Sequence, residues 1–180
     1  MANLKKALAN TFRILFIVLL LFILFLAIQL IRHPDAPPSI FGYQPFTVLS
    51  NSMNPSFETG DLIIVKKVAS SSVKEGDVIT FRESNDKFVT HRVVEVIQQN
   101  GNPGFVTKGD NNNVNDDHVV SSENVVGKKV LHIKNGGLIT KFVGSPIGLI
   151  LFVFLPLIGY FGLTLWEHTR KRYHSRKSST

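Results

Sequence analysis

Thr59-Gly60-Asp61-Leu62-Ile63-Ile64-Val65-Lys66-Lys67 reads as a turn that launches a strand, and Glu75-Gly76-Asp77-Val78-Ile79-Thr80-Phe81-Arg82 opens in the same way. In each, a Gly-Asp pair supplies turn chemistry and a short β-branched or aromatic run follows. No longer repeat accompanies the shared opening. Moving outward, the same pattern of short runs bounded by Gly, Asn and Asp predicts strands over Phe46–Leu49, Leu62–Lys67, Val78–Arg82, Phe88–Ile97, Phe105–Lys108 and Asn124–Ile133. No stretch between residues 40 and 140 carries a helical period. The expected fold is mainly β: a compact antiparallel domain over 32–141, partly closed or folded as two sheets.

The flanks are of another kind. Ile14 to Ile31 is an apolar run interrupted only by Gln29 and bracketed by Arg13 and Arg32. As a helix it is roughly 27 Å long, close to the hydrocarbon thickness of a bilayer. The residues after it, Arg32-His33-Pro34-Asp35-Ala36-Pro37-Pro38, make a poor cleavage context, so the run reads as an uncleaved signal anchor and 1–13 as a short cytoplasmic lead. The prolines form a stiff exit. A second apolar run, 147–166, contains Pro156 and glycines, which spanning helices tolerate, and ends in Trp166 before a basic tail, 167–180. The expectation is two transmembrane helices flanking the β domain, both termini in the cytoplasm and the domain on the outer face of the cell membrane.

Charge supports that division. The net charge is +7, yet residues 33–141 carry eleven basic and twelve acidic side chains. The excess sits beside the apolar runs: Lys5, Lys6, Arg13 and Arg32 on one side, Arg170, Lys171, Arg172, Arg176 and Lys177 on the other. This is topological charge and not a nucleic-acid surface. The absence of cysteine excludes disulfides, thiolate catalysis and Cys-based zinc sites.

Three segments of the middle domain offer chemistry. Val48-Leu49-Ser50-Asn51-Ser52-Met53-Asn54-Pro55-Ser56-Phe57 places two serines around one Asn ahead of the first Gly-Asp turn; read alone, it is an ordinary capped loop. Phe88-Val89-Thr90-His91-Arg92-Val93-Val94 puts a histidine in a strand, where a structural role is the usual one. Of the other histidines, His33, His168 and His174 fall outside the domain, while His118 and His132 stay inside it. Lys108-Gly109-Asp110-Asn111-Asn112-Asn113-Val114-Asn115-Asp116-Asp117-His118 is a polar loop. It fails as a calcium loop: counted from Asp110, the required glycine is Asn115 and the final glutamate is Ser121. No metal or cofactor is expected.

Together, in this order and spacing, the three segments resemble the type I signal peptidases, and within them the ER-type, SipW-like branch. The matching boxes are Ser52-Met53-x-Pro55 with Gly60-Asp61, then His91-Arg92-Val93, then Lys108-Gly109-Asp110-Asn111-Asn112. The mainstream bacterial branch has Lys-Arg where this chain has His91-Arg92. The resemblance covers roughly residues 12–135. It implies a membrane-bound serine endopeptidase that removes signal peptides from secreted precursors, with Ser52 as nucleophile and His91 as general base. It also implies an acid from the third box: Asp116, matched by its spacing from Asp110, or its neighbour Asp117. Asp110 orients the base or holds the loop. The Ser52 N–H and the Ser50 hydroxyl are the implied oxyanion donors. Implied partners are precursors with Ala-x-Ala-type signal peptides and the lipid bilayer; accessory subunits are left open. Ile40, Phe41, Phe46, Met53 and Phe57 are offered either to lipid, to the substrate groove or to the core. Three alternatives stand beside this reading: Lys66 or Lys67 as the base of a Ser/Lys dyad, a non-catalytic membrane-anchored module that binds peptides or scaffolds an export complex, and a self-cleaving transcription-factor protease. The last should bring a DNA-binding domain, which is absent.

Overall fold

The computed structural model describes residues 2–32, 37–83, 87–99, 101–143, 145–162 and 164–166. His33 and Pro34 of the expected helix exit and the whole basic tail lie outside the described residues. The chain divides into two compact units, one made of Gln29–Thr140 and the other of Met1–Ile28 with Lys141–Thr180.

The first unit is the β domain. Its strands are β1 (Tyr43–Thr47), β2 (Leu62–Lys66), β3 (Val78–Arg82), β4 (Phe88–Gln99), β5 (Asn102–Lys108), β6 (Val120–Ser121) and β7 (Val125–Ile133). They form one seven-stranded antiparallel sheet in the order β1-β2-β7-β3-β4-β5-β6. All six expected strands are present; β6 is an addition, too short to leave a pattern in the sequence. Of the two expected arrangements the division into two sheets does not occur: there is a single sheet with β1 and β6 at its ends. Central β7 pairs with both β2 and β3, and Gly127 lies where a Cβ would run into the Lys66 carbonyl.

Both Gly-Asp turns form as read. Gly60 has φ +94 and Gly76 φ +86, conformations that suit glycine at the third position of a turn. Asp61 N donates to the Glu58 carbonyl and Asp77 N to the Lys74 carbonyl, both at 3.1 Å. Each aspartate then accepts from the first residue of its own turn, Glu58 N at 2.9 Å and Lys74 N at 3.0 Å.

Two buried clusters hold the sheet. Val73, Ile79, Phe81, Val93, Phe105 and Val120 form one; Met53, Phe57, Ile63, Val65 and Val78 form the other, with Phe46 and Val48 packed on it. Met53 and Phe57 are therefore core residues and not lipid or groove residues, whereas Phe41 is fully exposed.

In the second unit, α1 (Ala2–Arg32) contains an apolar window, Ala9–Leu26, of mean hydropathy 2.5. Among the described residues it is the one helix long and apolar enough to cross a membrane. The expected helix over 147–166 is made of helical turns of mixed kind: an α-helical turn at Pro146–Leu149 and a π turn at Ile150–Phe154 precede a shorter apolar helix, Leu155–Trp166. Pro156 accounts for the π turn. It has no N–H to give to the carbonyl four residues back, and its ring clashes there, so the preceding turn widens. Phe16 is buried in this unit and stacks on Tyr160, ring centroids 4.9 Å apart.

Candidate active site

Ser52 sits in the connection between the antiparallel pair β1 and β2. The ladder continues beyond the strands through Val48 N to the Asp61 carbonyl and Gly60 N to the Val48 carbonyl, both 2.9 Å. Within the loop, the Asn51 side-chain oxygen accepts from Thr59 N at 3.0 Å and from the Thr59 hydroxyl at 2.9 Å. Met53, next to the serine, and Phe57 are sunk in the core. Burying each contributes about 1.5–3 kcal/mol, so the loop is a fixed platform and not a mobile tip. Asp61 clamps its far end, accepting from His132 Nε2 at 2.7 Å and Asn135 N at 2.8 Å as well as from Glu58 N. Those backbone donors, Glu58 first and Asn135 next, outweigh burial and lower its pKa to about 2.

His91 lies mid-strand in β4, buried, opposite Ile79 of β3. Its Nε2 is 3.1 Å from Ser52 Oγ and its Nδ1 2.6 Å from Asp116 Oδ2. Asp116 is brought there by β5: its N–H donates to the Thr107 carbonyl at 2.8 Å, and the Thr107 hydroxyl donates to the same Oδ2 at 2.6 Å. A carboxylate only accepts, so Nδ1 carries the imidazole proton and Nε2 is free to accept from Ser52. The arrangement can move a proton off a serine hydroxyl and hold the ring in the orientation that does so.

Asp110 goes elsewhere. The Arg92 guanidinium grips it with Nε to Oδ1 at 2.8 Å and Nη2 to Oδ2 at 2.7 Å, and the Ser56 hydroxyl donates to it at 2.5 Å. The Arg92 hydrogen bonds hold the Asp110 carboxyl below its ordinary range. Successive residues of a strand point to opposite sides, which lets neighbouring His91 and Arg92 serve two different partners. The pair ties β4 to the serine loop and to the loop after β5. That second loop also touches the Ser52 backbone directly: Asn111 N donates to the Ser52 carbonyl at 2.8 Å.

Ser50 Oγ is 3.3 Å from Ser52 Oγ, which places the Ser50 hydroxyl within hydrogen-bond reach of the Ser52 hydroxyl. Asp117, the alternative acid, is exposed beside Asp116. Lys66 and Lys67 are exposed, and Lys66 Nζ lies over the Tyr43 ring, 5.4 Å from its centroid. The sequence reading gives no role to Thr107, Ser56 or Asn111; each acts through a contact between separate segments, which no local pattern reveals.

Residues 11–104 match the family model described as signal peptidase, peptidase S26. The chain belongs to that family. The matched span takes in Ser52 and His91 and stops short of the acidic loop. Signal peptidase I W of Bacillus subtilis (strain 168) is 42% identical over 115 residues, 62% of this chain and 60% of the relative. The signal peptidase complex catalytic subunit SEC11C of Homo sapiens is 33% identical over 128 residues, 70% of this chain and 59% of the relative. The chain thus spans about three fifths of the length of these curated relatives. The ER-type resemblance read from the boxes is borne out by these two relatives.

Proposed function

We propose that this S26 peptidase is a membrane-bound serine endopeptidase that removes signal peptides from secreted precursors. The hydrogen-bonded chain Ser52 Oγ–His91 Nε2–Nδ1–Asp116 Oδ2 carries the reading, at 3.1 and 2.6 Å. Ser52 Oγ attacks the scissile carbonyl and its proton passes to His91 Nε2. The C–N bond breaks, the mature chain leaves as an amine carrying that proton, and the signal peptide stays esterified to Ser52. Water, deprotonated in turn by His91, hydrolyses the ester and regenerates the hydroxyl. Asp116 fixes the ring and stabilises the imidazolium as it forms. The Ser52 N–H and Ser50 hydroxyl serve the developing oxyanion. Asp110, through Arg92 and Ser56, positions the loops.

The substrates are precursors with small residues, Ala-x-Ala in type, before the cut. The chain crosses the membrane at 14–31 and again within 147–166, leaving both termini cytoplasmic and the domain of 32–141 on the outer face. Lys66 and Lys67 are not the base, because the serine hydroxyl already has His91.

The test is cleavage of an Ala-x-Ala precursor in membranes bearing wild-type, Ser52→Ala or His91→Ala protein. Cleavage should vanish in both variants while both still insert. Cleavage at the wild-type rate in either variant overturns the assignment.

A further inference from the structure

Beside His91 the β domain opens a cavity of about 820 Å³, with Phe81, Glu83 and Val89 on one wall and the loop through Asn113, Asp117 and His118 on the other. His91 and Asp116 line it, and Ser52 does not. Under the proteolytic reading, on which this inference rests, that position has a chemical meaning. The Nε2 that takes the Ser52 proton must return it to the leaving amine, so the amine departs on the side of the base. What is attached to the amine is the mature chain.

We infer that this cavity receives the first residues of the mature protein, on the far side of the scissile bond, and that it favours polar segments with basic residues over acidic ones. Its lining fits such an occupant. The loop from Asn111 to Asn115 presents side-chain amides, and amides buried against an apolar signal peptide would lose water with nothing in return. A polar mature segment gives them partners. Glu83, Asp116 and Asp117 bring three carboxylates to the lining against one guanidinium, that of Arg82, so the charge balance is negative. The carboxylates come from two separate elements, the end of β3 and the loop after β5, so the preference does not hang on one residue.

The experiment uses full-length enzyme in membranes and precursors that share one signal peptide and one Ala-x-Ala site. They differ only at the second to fourth mature positions, which carry Lys, Ser or Asp. Processing of the Ser precursor by wild type and not by Ser52→Ala checks the enzyme assignment separately, so failure there is failure of that reading alone. The expected ranking in kcat/KM is Lys above Ser above Asp, in steps of about two- to fivefold, the range of single exposed charge pairs. Asp117→Lys and Glu83→Lys should each compress or invert the ranking, mainly through KM. Equal processing of all three precursors overturns the inference. So does a ranking that survives both variants, or one that responds to Asp117→Lys alone, which would mark a disturbance of neighbouring Asp116.

Discussion

Asp116 Oδ2 accepts two hydrogen bonds of 2.6 Å, one from the His91 imidazole and one from the Thr107 hydroxyl on β5. The second holds the carboxylate still, and the first fixes the tautomer. Replacing Asp116 by Asn separates these roles, because an amide can donate to Nδ1 and so push the proton onto Nε2, where it blocks acceptance from Ser52. Asp116→Asn should lower kcat by roughly 10³- to 10⁴-fold with KM little changed, since the loss is in proton transfer and not in substrate contact. Steady-state cleavage of a signal-peptide substrate measures it; equal losses in Asp117→Asn would point to the loop and not to this carboxylate. The sequence could not make this choice. Adjacent aspartates share composition and nearly share spacing, and what separates them is Thr107, on another strand. Ser52 and His91 were legible because their boxes are local, each a run of consecutive residues.

At the level of elements, the serine loop and the loop after β5 meet at Gly109. A Cβ there would lie 2.6 Å from the Ser52 carbonyl oxygen and 2.8 Å from Asn112 Nδ2. The first is backbone and cannot yield cheaply, so Gly109→Ala should displace Ser52 and cut kcat by about 10²-fold, the usual cost of a misplacement near 1 Å. A variant with unaltered kcat would show that the loops do not bear on the nucleophile. The other end of the serine loop is tied by Asp61, whose folded pKa is lowered to about 2 from 3.8. A depressed carboxyl contributes stability above its unfolded pKa and loses it as pH falls through the folded one. The melting temperature of the detergent-solubilised chain should therefore fall between about pH 4 and pH 2. Asp77 and Asp110, also lowered, add to that fall. Asp61→Asn should be less stable at pH 7 and show a shallower acid loss; an identical pH profile would mean the clamp contributes nothing. Strands and Gly-Asp turns were legible because alternation and turn chemistry are local. Sheet closure was not, since it depends on which strand edges pair. The π turn before Pro156 was in principle readable, but an apolar run that tolerates proline looks the same whether its helix is regular or carries a wider turn.

For the whole molecule, charge and hydropathy divide the chain along the same lines as its two compact units: a nearly neutral β domain, and apolar helical segments flanked by basic residues. Under the proposed topology a bilayer accounts for that coincidence, with Lys5, Lys6, Arg13 and the basic tail on the cytoplasmic side and the nearly neutral domain carried across. The absence of cysteine makes the idea unusually easy to test, since any thiol introduced is the only one. Asn113→Cys, in the exposed loop beside the site, should react with a membrane-impermeant maleimide added to intact protoplasts. Ser178→Cys, in the basic tail, should react only after lysis. Labelling of both in intact cells would mean that the second apolar run does not return the chain to the cytoplasm, and the helical run around Pro156 would then be read as lying within or against the membrane without crossing it. Labelling of neither would put the domain inside, where His91 and Ser52 would never meet a translocated precursor. Any result that labels Asn113→Cys in intact cells is compatible with a peptidase that acts on chains after they have crossed, and only the asymmetric one also supports the second crossing.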